Sequence, residues 1–168
     1  MKILKIQALR GPNIWSVQRK KLIQMRLDLE EMEQFPTNKI EGFRERIEAM
    51  FPTMIEHRCS EGCRGGFFSR VERGTWMGHV IEHIALEIQT LAGMETGFGR
   101  TRETKTPGVY NVVFSYTEEN VGLFAAESAV AIAESLIAGT EYDVEADIQK
   151  MREIRERVRL GPSTGSIV

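Results

Sequence analysis

The chain has 168 residues, enough to bury a hydrophobic core without disulfide staples, which excludes a mini-protein. At 42% hydrophobic, 8% aromatic and 27% charged residues it is too apolar for intrinsic disorder. A net charge of -2 argues against general nucleic-acid binding, no run approaches the ~18 apolar residues of a membrane span, and Met1–Ile6 lacks the h-region and cleavage site of a signal peptide, so a cytoplasmic protein with no nucleic-acid or membrane partner is expected.

The charge is segregated along the chain. Residues 1–27 hold seven Lys/Arg (Lys2, Lys5, Arg10, Arg19, Lys20, Lys21, Arg26) and no acid, whereas residues 107–168 hold ten acids against five bases. The basic end reads either as a face for an anionic or zwitterionic ligand or as a solvated strand edge.

Lys2–Arg10 alternates loosely and stops at Gly11-Pro12-Asn13, which predicts a strand and loop. Ile23, Met25, Leu27 and Leu29 alternate strictly with polar residues, the period of a half-buried strand, and the two strands are expected to pair antiparallel. Residues 42–51 predict a short amphipathic helix ended by Pro52, and residues 57–74 an irregular, Gly-rich segment. From Thr75, read as an N-cap, Met77, Val80, Ile81, Ile84, Ile88 and Leu91 form a helical stripe closed by Gly93. Residues 94–107 predict a polar loop, 109–116 a β-branched third strand, 118–138 an Ala-rich helix with acids in its first turn, and 144–158 a charged helix. The expected fold is α+β: an antiparallel sheet covered by helices in residues 1–140, a small helical satellite at 141–160, and a linker at 161–168 where the chain looks cut rather than finished. Trp15 and Trp76 read as packing residues.

All three histidines and both cysteines fall between His57 and His83. With two cysteines only, a disulfide framework is excluded and metal ligands or buried thiols are expected. Residues 79–83 read HVIEH, the H-x-x-E-H pattern of the inverzincins, inside the 75–92 helix. One helical turn separates His79 from His83, so both imidazoles can reach one zinc ion, while Glu82 on the same side can act as general base toward a water activated by the metal. Cys59 is the favoured third ligand; Cys63, His57 or a carboxylate such as Glu127 or Glu134 are alternatives. Two other readings stay open: a closed Cys2His2 structural zinc using Cys59, Cys63, His79 and His83, and buried histidines with no metal. Two Gly-rich elements, Gly62-Cys63-Arg64-Gly65-Gly66 and Gly97-Phe98-Gly99-Arg100-Thr101-Arg102, offer backbone N–H groups and arginines to carboxylates, but neither is a P-loop or a dinucleotide fingerprint.

The segments KILKIQALRGPNIWS, MRLDLEE, CSEGCRGGF, GTWMGHVIEHIALEIQTLAGM, GFGRTRETKTPGVYNVVF and LGPSTGSIV resemble, in order and spacing, the N-terminal domain of the cyanophycin synthetases. That family consists of ATP-dependent ligases that build a polyaspartate chain with arginine on its side chains. The resemblance implies ATP-grasp and Mur-ligase-like modules elsewhere in a longer, homo-oligomeric chain, with ATP and Mg2+ used only there. For this chain it implies a domain that docks the cyanophycin polymer, with Arg64, Arg100, Arg102 and the basic N-terminal strand attracting its carboxylates and Glu82 with other acids accepting its arginines. With the His79-x-x-Glu82-His83 set intact, it implies as well a hydrolase that cuts polymer into primers; the alternative is a purely binding domain.

Overall fold

The computed structural model describes residues 1–19 and 21–160; Lys20 and the expected linker at 161–168 lie outside the described residues. Four strands, β1 (Lys2–Arg10), β2 (Lys21–Asp28), β3 (Gly99–Glu103) and β4 (Val109–Ser115), form one antiparallel sheet in the order β1-β2-β4-β3. The expected β1–β2 pair is present, with Ile6 opposite Met25 and Ala8 opposite Ile23. The α+β expectation holds.

Five α-helices accompany the sheet: α1 (Phe43–Met50), α2 (Gly66–Arg73), α3 (Met77–Leu91), α4 (Glu119–Ala138) and α5 (Val144–Leu160). The core lies between one sheet face and α3 and α4. Because side chains alternate along a strand, Ile23, Met25 and Leu27 of β2 and Val112 and Phe114 of β4 all point into it, and the first three with Phe114 are fully buried. Each such side chain contributes ~1.5–3 kcal/mol of burial. Two helix ends are fixed by local chemistry. The Glu118 carboxylate accepts from Val121 N–H (2.9 Å) at the start of α4, and Gly139, at φ 73°, closes its end in the left-handed conformation. Ile148 and Met151 of α5 are buried in the same core.

Four sequence expectations need correction. Residues 94–107 contain β3, because its ladder is supplied by β4 and not by its own residues, of which only Thr101 is a strong strand former. Residues 57–74 contain α2, whose Phe67, Phe68 and Val71 are buried against the core. Thr75 is not the cap of α3: Trp76 holds that position, and the Thr75 hydroxyl is engaged elsewhere. Finally, α4 is long and apolar enough to cross a membrane by length and composition, although 61% of its apolar window is buried within this fold.

Among the described residues the opposite sheet face carries no helix. There Gln7 donates to Gln24 (2.9 Å) and Gln24 to Asn111 (3.2 Å). The cross-strand register aligns Lys5, Arg26, Asn111 and Arg102 in one row. Lys5, Arg26 and Arg102 are all exposed.

Candidate metal centre

The 3.6-residue period of α3 places His79, Glu82, His83 and Glu87 along one side of the helix. Beneath it, α2 supplies Phe67, whose ring stacks on His83 with centroids 4.3 Å apart. Cys59 arrives from a 3-10 turn, Cys59–Glu61, and has φ 56°, a left-handed conformation that costs a non-glycine residue ~1–3 kcal/mol. The surrounding turn is held by Gly65 N–H on the Ile55 carbonyl (2.7 Å) and Phe67 N–H on the His57 carbonyl (3.0 Å).

One ligand atom each of Cys59, His79 and His83 lies within 4.8 Å of the other two. Cys59 Sγ is 3.2 Å from His79 Nε2, and His79 Nδ1 is 2.9 Å from the Thr75 hydroxyl. On His83, Nδ1 lies 2.9 Å from His57 Nδ1, and His57 Nε2 lies 2.6 Å from Glu87 Oε2. The Thr53 hydroxyl donates to the other oxygen of Glu87. This chain of contacts orders the protons. In the tautomer that puts the His57 proton on Nε2, that N–H donates to the Glu87 carboxylate, His57 Nδ1 accepts from His83 Nδ1–H, and the lone pair of His83 is left on Nε2. Both candidate ligand imidazoles, His79 and His83, thus have Nδ1 occupied and Nε2 available.

Glu82 is only 6% exposed. Its Oε1 accepts from the Thr101 hydroxyl (2.7 Å) on β3, and its Oε2 lies 3.8 Å from His83 Nε2. Burial raises the Glu82 pKa to about 7, against the lowering effect of the Thr101 bond. Burial also lowers His79 to about 4, helped by the nearby Arg70 charge, and holds His83 well below the usual histidine range, helped by His79 and His57. For Glu87 burial acts upward, yet the bonds from His57 and Thr53 bring the carboxyl below its ordinary value. The cluster thus sets two imidazoles, His79 and His83, held below the usual histidine range beside a Glu82 carboxyl raised to about 7.

The cluster opens into a cavity of about 770 Å3, lined among others by Arg58, Arg70, Trp76, Gly97, Gly99 and Thr101. Trp76, expected in the core or half-buried, is 38% exposed at this cavity. Cys63 is exposed and stands outside the cluster, as do the exposed Glu127 and Glu134. Arg64 is exposed and pairs with Glu56 (2.9 Å). Since Thr101 points to Glu82, its neighbours Arg100 and Arg102 point to the opposite, helix-free face of the sheet. The second Gly-rich element thus divides: Gly97, Gly99 and Thr101 line the cavity, while its arginines join Lys5 and Arg26. Sequence reasoning missed Thr75, Glu87 and Thr101 as partners of the cluster. The i, i+4 spacing from His83 to Glu87 was a usable signal; nothing local marked Thr101.

A helix-borne histidine pair with an adjoining carboxylate, set under an antiparallel sheet, defines the class of domain. The family model of the cyanophycin synthase-like N-terminal domain matches residues 24–138, and the chain belongs to that family. It is 52% identical to a cyanophycin synthetase of Synechocystis sp., 53% to one of Geminocystis herdmanii and 50% to one of Crocosphaera subtropica, in each case over the whole of this chain. The chain spans 20% of the length of these relatives.

Proposed function

We propose that this domain is a zinc-dependent hydrolase acting on the polyaspartate backbone of cyanophycin, and that it cuts long polymer into short chains able to prime synthesis. The observation that carries the reading is the convergence of Cys59, His79 and His83 beside the buried carboxyl of Glu82. One thiolate and two imidazoles suit zinc and leave a coordination position open; a zinc ion there would supply Lewis acidity toward a scissile carbonyl and acidify water. Glu82 takes a proton from the attacking water, and as the C–N bond breaks it returns that proton to the leaving amine. Burial, which favours the protonated carboxyl, helps Glu82 hold the proton between the two halves of the task. Glu82→Gln is expected to keep zinc and to lose cleavage by 10²-fold or more, whereas His79→Ala loses both. Wild-type domain that holds one equivalent of zinc yet leaves polymer length unaltered over hours would overturn the hydrolase.

Docking of the polymer is a second role, favoured by the row of cations on the helix-free sheet face. Among the described residues Lys5, Arg26 and Arg102 form no ion pair, and the arginine branches of cyanophycin end in carboxylates that match them. In this reading the domain serves, in the cytoplasm, a longer homo-oligomeric chain whose ATP-grasp and Mur-ligase-like modules use ATP and Mg2+. The 168-residue chain alone incorporates neither aspartate nor arginine.

A further inference from the structure

We propose that the polypeptide backbone of the substrate is read as an added β-strand, pairing main chain to main chain with the free edge of β3. The inference rests on the hydrolase reading for the identity of the substrate, not for the pairing itself.

Among the described residues the sheet order leaves β3 with one neighbour, β4. Beyond its two ends the cross-strand bonds are Ser115 N–H to the Phe98 carbonyl (2.9 Å) and Thr104 N–H to the Val109 carbonyl (2.8 Å). Bonded and non-bonded pairs alternate in an antiparallel ladder, so Arg100 and Arg102 turn their main-chain groups inward to Val113 and Asn111. Gly99, Thr101 and Glu103 turn theirs outward. Those three residues have no other backbone hydrogen bond among the described residues.

The same alternation puts Gly99 and the Thr101 side chain on the α3 side of the sheet. Thr101 donates to Glu82, and a Cβ placed on Gly99 would stand 2.5 Å from Glu82 Oε2. The unpaired edge and the carboxyl thus meet at one place. Gly97, just before the strand, has no atom within 4 Å of where its Cβ would be, and the cavity runs past it. A strand laid here passes the mouth of the cavity at the level of Glu82.

An added strand also joins the two surfaces of the proposed function. Its side chains alternate between the sheet's faces, so every second arginine branch enters the cavity side and the others lie over the face of Arg100 and Arg102. Main-chain pairing gives the affinity and the alternate branches give the selectivity, as in other cases of strand addition. A branched polymer of one repeating unit suits such an edge, because every dipeptide step presents the same set of groups.

The test uses the zinc-stripped 168-residue chain, which cannot cleave, and a synthetic octamer of aspartate bearing arginine on each side chain. Amide hydrogen exchange is read by NMR with and without millimolar octamer. The amides of Gly99, Thr101 and Glu103 are expected to slow at least tenfold, and those of Arg100 and Arg102, already in the ladder, to stay unchanged. An octamer N-methylated at every backbone amide is expected to bind at least tenfold more weakly. Absence of protection at Gly99, Thr101 and Glu103, or equal binding of the methylated octamer, overturns strand addition. If protection appears but the zinc-loaded chain never shortens polymer, the hydrolase falls and the edge pairing stands.

Discussion

His57 shows how a residue's role depends on one neighbour. By position it is a candidate ligand; in space it stands between Glu87 and His83 and fixes which imidazole nitrogen faces the metal site. Supports of this kind typically hold 10–100-fold of a site's metal affinity. His57→Ala is therefore expected to weaken zinc binding by that factor in a chelator-competition titration, while circular dichroism stays native. The same titration separates the two cysteines. Cys59→Ala should abolish tight binding and Cys63→Ala should leave it unchanged, because the Cys63 thiol is exposed and stands outside the cluster. A closed four-ligand zinc would make the two variants equivalent.

Two glycines locate the tight approaches between elements. At Gly66, the first residue of α2, a Cβ would collide with the Arg58 carbonyl, one residue before Cys59, the proposed ligand. At Gly122 of α4 it would meet Tyr116 Cβ at 2.8 Å and Ile23 Cγ1 at 2.9 Å. Helix propensity alone favours alanine over glycine by ~1 kcal/mol, but overpacking costs ~1–3 kcal/mol, so both Gly→Ala variants are expected to be destabilised in urea. They part at the metal. Gly66→Ala moves the Arg58–Cys59 backbone and should lower zinc affinity, whereas Gly122→Ala, packed on the far side of the core, should not.

Across the whole molecule the two proposed activities use opposite faces of one sheet. Charge contacts on the open face are exposed and screened beyond ~8 Å at physiological salt. Polymer binding by the chain is thus expected to weaken as salt rises and to weaken further in Arg100→Ala with Arg102→Ala, while zinc affinity of the double variant equals wild type. Loss of zinc in that variant would contradict the separation of faces; undiminished polymer affinity would remove the open face from docking.

The strict alternation of residues 22–29 and the apolar stripe of residues 77–91 were legible in the sequence, since both patterns follow from the repeat of a single element. So was the His79, Glu82, His83 grouping, because residues one turn apart meet wherever the helix lies. Residues 99–103 could not be recognised as a strand, because their extended form is imposed by Val109–Ser115 and not by their own preferences. Nor could the sequence show that Thr101 would reach Glu82 while Arg100 and Arg102 turned away, or that His57 would bridge Glu87 and His83. Local periodicity determines which side chains share a face of one element. Which faces then meet is decided by the packing of distant elements, and only the tertiary structure carries that information.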